Sequence, residues 1–140
     1  MKNKKQLIYL SISKLAKSFE IFSVTEFLID QGYDIYYYSH SPYDITIIDS
    51  ARILVVIPPN DSKIIDYKDV FKQILVGMGN YNESKYASEK GIPIFIYNKE
   101  DRMFYTIIES KVVDPKDFQH GYKLIIKSFI NITNLKENLK

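Results

Sequence analysis

Ala51-Arg-Ile-Leu-Val-Val-Ile57, closed by Pro58-Pro59, is the stretch on which the reading of the fold turns. The apolar run from Ile53 to Ile57 leaves no polar face, as a strand covered on both sides requires. The two prolines end it, because neither can donate to a sheet ladder. Working outward, Gln6–Ile12 (QLIYLSI) and Ile92–Tyr97 (IPIFIY) read as further buried strands. Tyr33–Tyr38 (YDIYYY), rich in β-formers, reads as another.

The segments between them carry helical signals. Over Ser13–Gln31, Leu15, Phe19 and Phe22 share one face, which Ile21, Val24 and Leu28 widen. Lys14, Lys17 and Glu20 point outward, and Gly32 stops the helix. Ser41-Pro42-Tyr43-Asp44 opens a short helix, with Ser41 as cap and Pro42 at its first position. Asn80–Lys90 reads as a helix closed by Gly91. Met103–Val113 supplies one more strand, with a bend at Glu109-Ser110. A last amphipathic helix starts at Asp114-Pro115, its inner side formed by Phe118, Tyr122, Ile125 and Phe129, before a polar tail from Thr133. Asn60–Gly79 shows no clear period, and Tyr67–Leu75 fits a helical turn or two inside a long loop.

Strands alternating with helices imply βαβ units. The expected fold is therefore α/β: one flavodoxin-like (Rossmann-like) three-layer sandwich over residues 1–140, with a mainly parallel five-stranded sheet. Ligands of such sheets bind beyond the carboxyl ends of the strands. That places the loops after Ile12, Tyr38 and Ile57 at a site, together with the start of the Asn80 helix.

Composition narrows the function classes. The 140 residues are enough for one real core. A formal charge of +2, from 19 basic and 17 acidic residues, argues against a nucleic-acid partner. The absence of cysteine removes disulfides, thiolate catalysis and Cys-based zinc sites. His40 and His120 have no metal-ligand spacing, so no metal site and no cofactor is expected. Nothing reads as a signal peptide or a membrane span, and the expected location is cytoplasmic.

Gly77-Met-Gly79-Asn80-Tyr-Asn-Glu83 is the most informative stretch for chemistry. Two glycines before a helix let the backbone approach a ligand, and the helix start favours anionic or hydroxyl groups. Glu83, placed in the first turn, shares a face with the small Ala87 and should point to the strand ends. Asn80-x-x-Glu83 also approximates a capping box, which needs no ligand. Asp44 shares a helix face with Ile47 and Ile48, yet an acidic residue there also suits the helix dipole. Tyr9 is either a core aromatic or a site residue. Ser11, Ser13 and Lys14 lie where a sugar or phosphate would sit, although a serine here also serves as a helix cap. His40 lies in a loop at the same end.

These residues together resemble the nucleoside 2-deoxyribosyltransferase family, including its deoxynucleoside monophosphate N-glycosidase-like members. Ile8-Tyr9-Leu10 is similar to the family's opening strand. Asp44 stands eight residues before Arg52 and an apolar strand, matching the family's spacing with Arg52 in place of a second acid. Gly79-Asn-Tyr-Asn-Glu83-Ser-Lys85-Tyr-Ala87, followed by Lys90-Gly-Ile-Pro-Ile-Phe-Ile, is similar to its glycine–glutamate motif. The resemblance covers residues 6 to 97. It implies Glu83 as the nucleophile at the anomeric carbon, Asp44 placing the ribose or managing the proton on the base, and Tyr9 holding the nucleophile. It also implies a nucleoside or nucleotide substrate and a homo-oligomer. Asn80 and Lys85 depart from the family's threonine and glycine, Pro59–Leu75 is longer than the usual loop, and the first loop lacks glycines.

Three functional readings stay open. One is N-glycosidic cleavage or transfer, which extends to the nicotinamide ribose of an NAD-like molecule. The second is a non-catalytic module that captures or senses a nucleotide, and the third is a purely structural role. A response-regulator reading fails because the first strand runs out into Ser11-Ile12-Ser13, without an acidic pair.

Overall fold

The computed structural model describes residues 6–37, 44–67, 71–112 and 122–131. One eight-stranded mixed sheet runs through them, in the order β2-β1-β3-β6-β7-β8-β5-β4. Four strands are parallel: β1 (Leu7–Ile12), β2 (Asp34–Tyr37), β3 (Ile53–Ile57) and β6 (Ile94–Asn98). The rest is antiparallel: β7 (Met103–Val112) on β6, β8 (Tyr122–Asn131) on β7, β5 (Phe71–Val76) on β8, and β4 (Ile65–Tyr67) on β5. Helix α1 (Ser18–Asp30) packs on one face of the parallel half. Helix α2 (Met78–Glu89) and a 3₁₀ helix (Ile45–Ser50) pack on the other.

This overturns the expectation of a flavodoxin-like (Rossmann-like) sandwich with a mainly parallel five-stranded sheet. Two misread segments account for the difference. Tyr67–Leu75 is not helical where it is described; Ile65–Tyr67 and Phe71–Val76 pair as antiparallel strands. The expected last helix is a strand from Tyr122 onward. The four-, three-, four-residue spacing of Phe118, Tyr122, Ile125 and Phe129 suits a helix, but Leu124-Ile-Ile is also β-forming. Here β7 and β5 take the hydrogen bonds of this segment from both sides, and tertiary pairing decides. The tail from Thr133, His40 and the loop around Ser41 lie outside the described residues.

Alternation sorts the core. Ile8, Leu10, Ile53, Val55, Phe95, Tyr97 and Phe104 face α1, against Val24 and Leu28. Tyr9, Leu54, Val56, Ile94 and Ile96 face α2 and meet Ala87 and Ile48 there. The inward face of α1 therefore differs from the expectation: Leu15, Phe19 and Phe22 are exposed. The helix also begins at Ser18 rather than Ser13. Both helices end in the same way. Gly32 (φ 92°) and Gly91 (φ 73°) adopt the left-handed conformation, so that Tyr33 and Ile92 donate back to Leu28 and Ala87.

Register breaks at Thr106/Ile107 and Ile107/Glu109 bend β7. Together with the twist that accumulates over eight strands, they curl the antiparallel half back. Ile74 and Val76 of β5 consequently share a core with Tyr9 of β1. Tyr105, at the start of this curve, donates its hydroxyl to Asp101. Burial, and then that carboxylate, push its pKa from 10.0 to about 12. Because the folded value lies above the unfolded one, this stabilisation is complete below pH 10. It is lost as pH rises towards about 12. Thermal melts between these limits should show a steeper fall for the wild type than for Tyr105→Phe. Parallel curves would remove Tyr105 as the source.

Candidate functional site

The polar residues of the site gather where β1 and β3 end and α2 begins. Ser11, next to last in β1, shares the α2-facing side with Tyr9, because strand side chains alternate. On α2, Glu83 and Ala87 lie four residues apart and are both buried, Ala87 among the core residues around Tyr9. Glu83 is therefore carried over Ser11, and the Ser11 hydroxyl donates to Glu83 Oε1 at 2.8 Å.

Asn80 completes the cluster. Its Nδ2 donates to the Ser11 carbonyl and to Ser11 Oγ, both at 3.0 Å. Its Oδ1 accepts from the Gly77 backbone N–H at 3.3 Å. Helix α2 is capped at Gly77, three residues ahead of the expected start. Asn80 is thus the third helical residue, and Glu83 sits in the second turn rather than the first. The Asn80–Glu83 capping box does not form. With the capping role gone, Glu83 is a carboxylate only 6% exposed, held by the Ser11 hydroxyl of the opposing strand. Burying a charge in this way is costly unless hydrogen bonds compensate. Ser11 and Asn80 supply one directed bond and the support behind it.

Ser13 and Gly77 line the same region: a Cβ added to Gly77 would lie 3.7 Å from both Ser13 Oγ and Asn80 Oδ1. Ser13 also ties the two strand ends together, its N–H donating to Ile57. Gly79 has open space around it, and Lys14 is exposed. Tyr9 is fully buried, its ring 5.1 Å from that of Tyr36. Asp44 is exposed and caps the 3₁₀ helix, its Oδ1 accepting from the Thr46 N–H and hydroxyl. It is thus the cap rather than the third residue of that helix. The link between the 3₁₀ helix and α2 is a pair not anticipated, the Tyr86 hydroxyl on Asp49 at 2.9 Å. That bond, followed by burial and the Asp49 and Asp44 charges, raises the Tyr86 pKa.

The structure thus brings Ser11, Ser13, Gly77, Asn80 and Glu83 together. Asp44 stands towards the other end of α2, where its charge reaches Tyr86. His40 lies outside the described residues. A cavity of about 20 Å³, room for about one water, opens elsewhere, beyond the carboxyl ends of β3 and β6. Lys17, Asn60, Ser62, Tyr97 and Lys99 contribute to its lining, and none of the site candidates among the described residues does. Lys99 Nζ donates to Asn60, to the side chain at 2.8 Å and also to the carbonyl. The rule that sites form at carboxyl ends of parallel strands already places the loop after Ile57, which holds Asn60, at a site; applied to β6 as well, it would have flagged Lys99. Burial, then the Glu20 charge, raise the Tyr97 pKa. Among the described residues, no group of His, Cys, Asp or Glu is arranged to hold a metal ion, and no helix is long and apolar enough to cross a membrane.

Ser11→Ala tests the cluster directly. It removes the donor to Glu83 and one acceptor of Asn80, so the expected loss is about 1–3 kcal/mol in urea unfolding. A change within about 0.5 kcal/mol, as at an ordinary surface site, would mean that Glu83 is held by other partners.

Comparison of the chain with known protein families, with curated proteins and with solved structures finds no match.

Proposed function

We propose that this protein cleaves or transfers the N-glycosidic bond of a nucleoside or nucleotide, with Glu83 as the attacking carboxylate. The observation that carries the reading is a single one: a nearly buried carboxylate oriented by Ser11, with Ser11 itself braced by Asn80. A capping role does not account for it, since the helix is capped at Gly77. Glu83 would attack the anomeric carbon as the C–N bond breaks, giving a glycosyl-enzyme and a free base. Water or a second base would then take the sugar. Asp44, its Oδ1 engaged by Thr46, stands towards the other end of α2 and is given no part in this step. Ser13 and the backbone at Gly77 and Gly79 would border the sugar. The reading rests on the Glu83 cluster and not on the topology.

A second reading is motivated by Asn80 and Lys85, which stand where the resembled family carries threonine and glycine. In that reading the protein captures a nucleotide without cleaving it. Incubation with deoxynucleosides, their 5′-monophosphates and NAD, followed by chromatography for free base, separates the two. Release that Glu83→Gln removes supports the enzyme, and binding of an intact nucleotide without release supports the capture module. Neither release nor binding overturns both.

A further inference from the structure

The cavity beyond the carboxyl ends of β3 and β6 is a second gathering of polar groups, and Glu83 takes no part in it. Lys17 and Glu20 reach it from the start of α1, and Ile57 and Tyr97 belong to the core that α1 covers. Pro58-Pro59 end β3, so the residues after them fold over the strand ends. That loop is tied down by its backbone: the Asn60 N–H donates to the Leu15 carbonyl, and the Ser62 N–H to that of Pro59.

The lining is rich in donors. Lys99 donates to Asn60 only through neutral acceptors, the side chain and the carbonyl. Among the described residues, neither Lys99 nor Lys17 is in an ion pair with a carboxylate. Lys17 is also the N-cap of α1, and no side chain caps that 13-residue helix, so the positive end of its dipole adds to the two ammonium groups. Glu20, in the first turn, lines the cavity too and opposes this field in part. The deciding observation is Ser62. It is only 9% exposed, and its hydroxyl is buried without a hydrogen-bond partner among the described residues. A buried hydroxyl left in this way is destabilising, and an alanine would avoid the loss. A ligand that accepts from the hydroxyl removes it.

We propose that this cavity binds a phosphate group, with one oxygen in the recess beside Ser62 and the others at the mouth, towards Lys17 and Lys99. A hydroxyl donor and two ammonium groups call for an anion with several acceptor oxygens. The size of the recess sets the arrangement: about 20 Å³ takes one oxygen, as it would one water, and excludes a base or a sugar ring. The inference is separate from the proposed chemistry, because the two sites share no residue.

Nuclear magnetic resonance titration of the isotope-labelled full chain with inorganic phosphate, at low ionic strength, tests this. The backbone amide signals of Asn60, Ser62 and Lys99 should move and saturate, with a Kd of about 1 mM or below. Ser62→Ala removes only a hydroxyl that has no partner, so it should melt no lower than wild type yet bind phosphate about tenfold more weakly. Glu20→Gln removes the opposing charge and should tighten binding by about threefold. A deoxynucleoside 5′-monophosphate that moves the same signals, where its deoxynucleoside does not, identifies the source as a nucleotide. Movement with inorganic phosphate alone identifies the free ion. Glu83→Gln should bind phosphate as wild type does, so a failure of the glycosidic reading leaves this result intact. The proposal is overturned if neither inorganic phosphate nor the monophosphate moves these signals at about 20 mM. It is also overturned if Ser62→Ala binds like wild type, or if chloride competes with phosphate on equal terms.

Discussion

Replacing Glu83 with glutamine is expected to lower base release by on the order of 10³-fold or more while leaving the chain folded and able to bind its ligand. The substitution is nearly isosteric and keeps a carbonyl oxygen where Ser11 donates at 2.8 Å. The contacts of Asn80 with Ser11 and Gly77 do not involve the altered group. What changes is the charge and the nucleophile. A neutral amide neither attacks the anomeric carbon nor offsets the positive charge that develops on the sugar as the base departs. Ser11→Ala leaves the carboxylate in place but removes its hydrogen bond, so it should slow turnover less than Glu83→Gln does. Full activity in Glu83→Gln would remove this residue from the chemistry and move the search to the lysine-bearing cavity beyond β3 and β6.

The parts of the fold legible in the sequence are those whose burial is two-sided. Ile53–Ile57 and Ile94–Tyr97 are covered on both faces, and continuous apolar runs leave little choice of structure. The strands β5 and β8 are different. Their pairing partners are remote in sequence, so the hydrogen bonds that select strand over helix have no local signature. Helix α1 shows the same limit in another form. It is apolar on nearly every side, so the period fixes a helix but not which stripe turns inward. Val24 and Leu28 take the core, and Phe19 and Phe22 are left outside.

At the site, the four-residue separation of Glu83 and Ala87 was sufficient to predict a shared buried face. The bond from Ser11 to Glu83 was not readable, because it spans 72 positions and depends on how α2 lies across β1. The start of α2 misled for a local reason. Asn80 resembles a cap in sequence, but its side chain reaches back to Gly77 as the third helical residue and so moves Glu83 one turn inward.

Phe104→Ala should cost about 3–5 kcal/mol in denaturant unfolding, a large share of the about 5–15 kcal/mol by which a domain is ordinarily stable. Phe104 is fully buried on β7, the strand at which the parallel half of the sheet meets the antiparallel half. Its ring lies 5.6 Å from that of its cross-strand partner Tyr97 on β6 and 6.4 Å from that of Phe27 on α1. One side chain thus joins the helix, the last parallel strand and the first antiparallel one. Truncation leaves a cavity that three separate elements would have to close. Ile108→Ala, on the same strand but exposed beside the register break, should stay within about 0.5 kcal/mol. The contrast between the two measures the seam. Similar small losses at both positions would mean that β7 is not seated against α1, and the antiparallel half would then have to be stabilised from the α2 side alone.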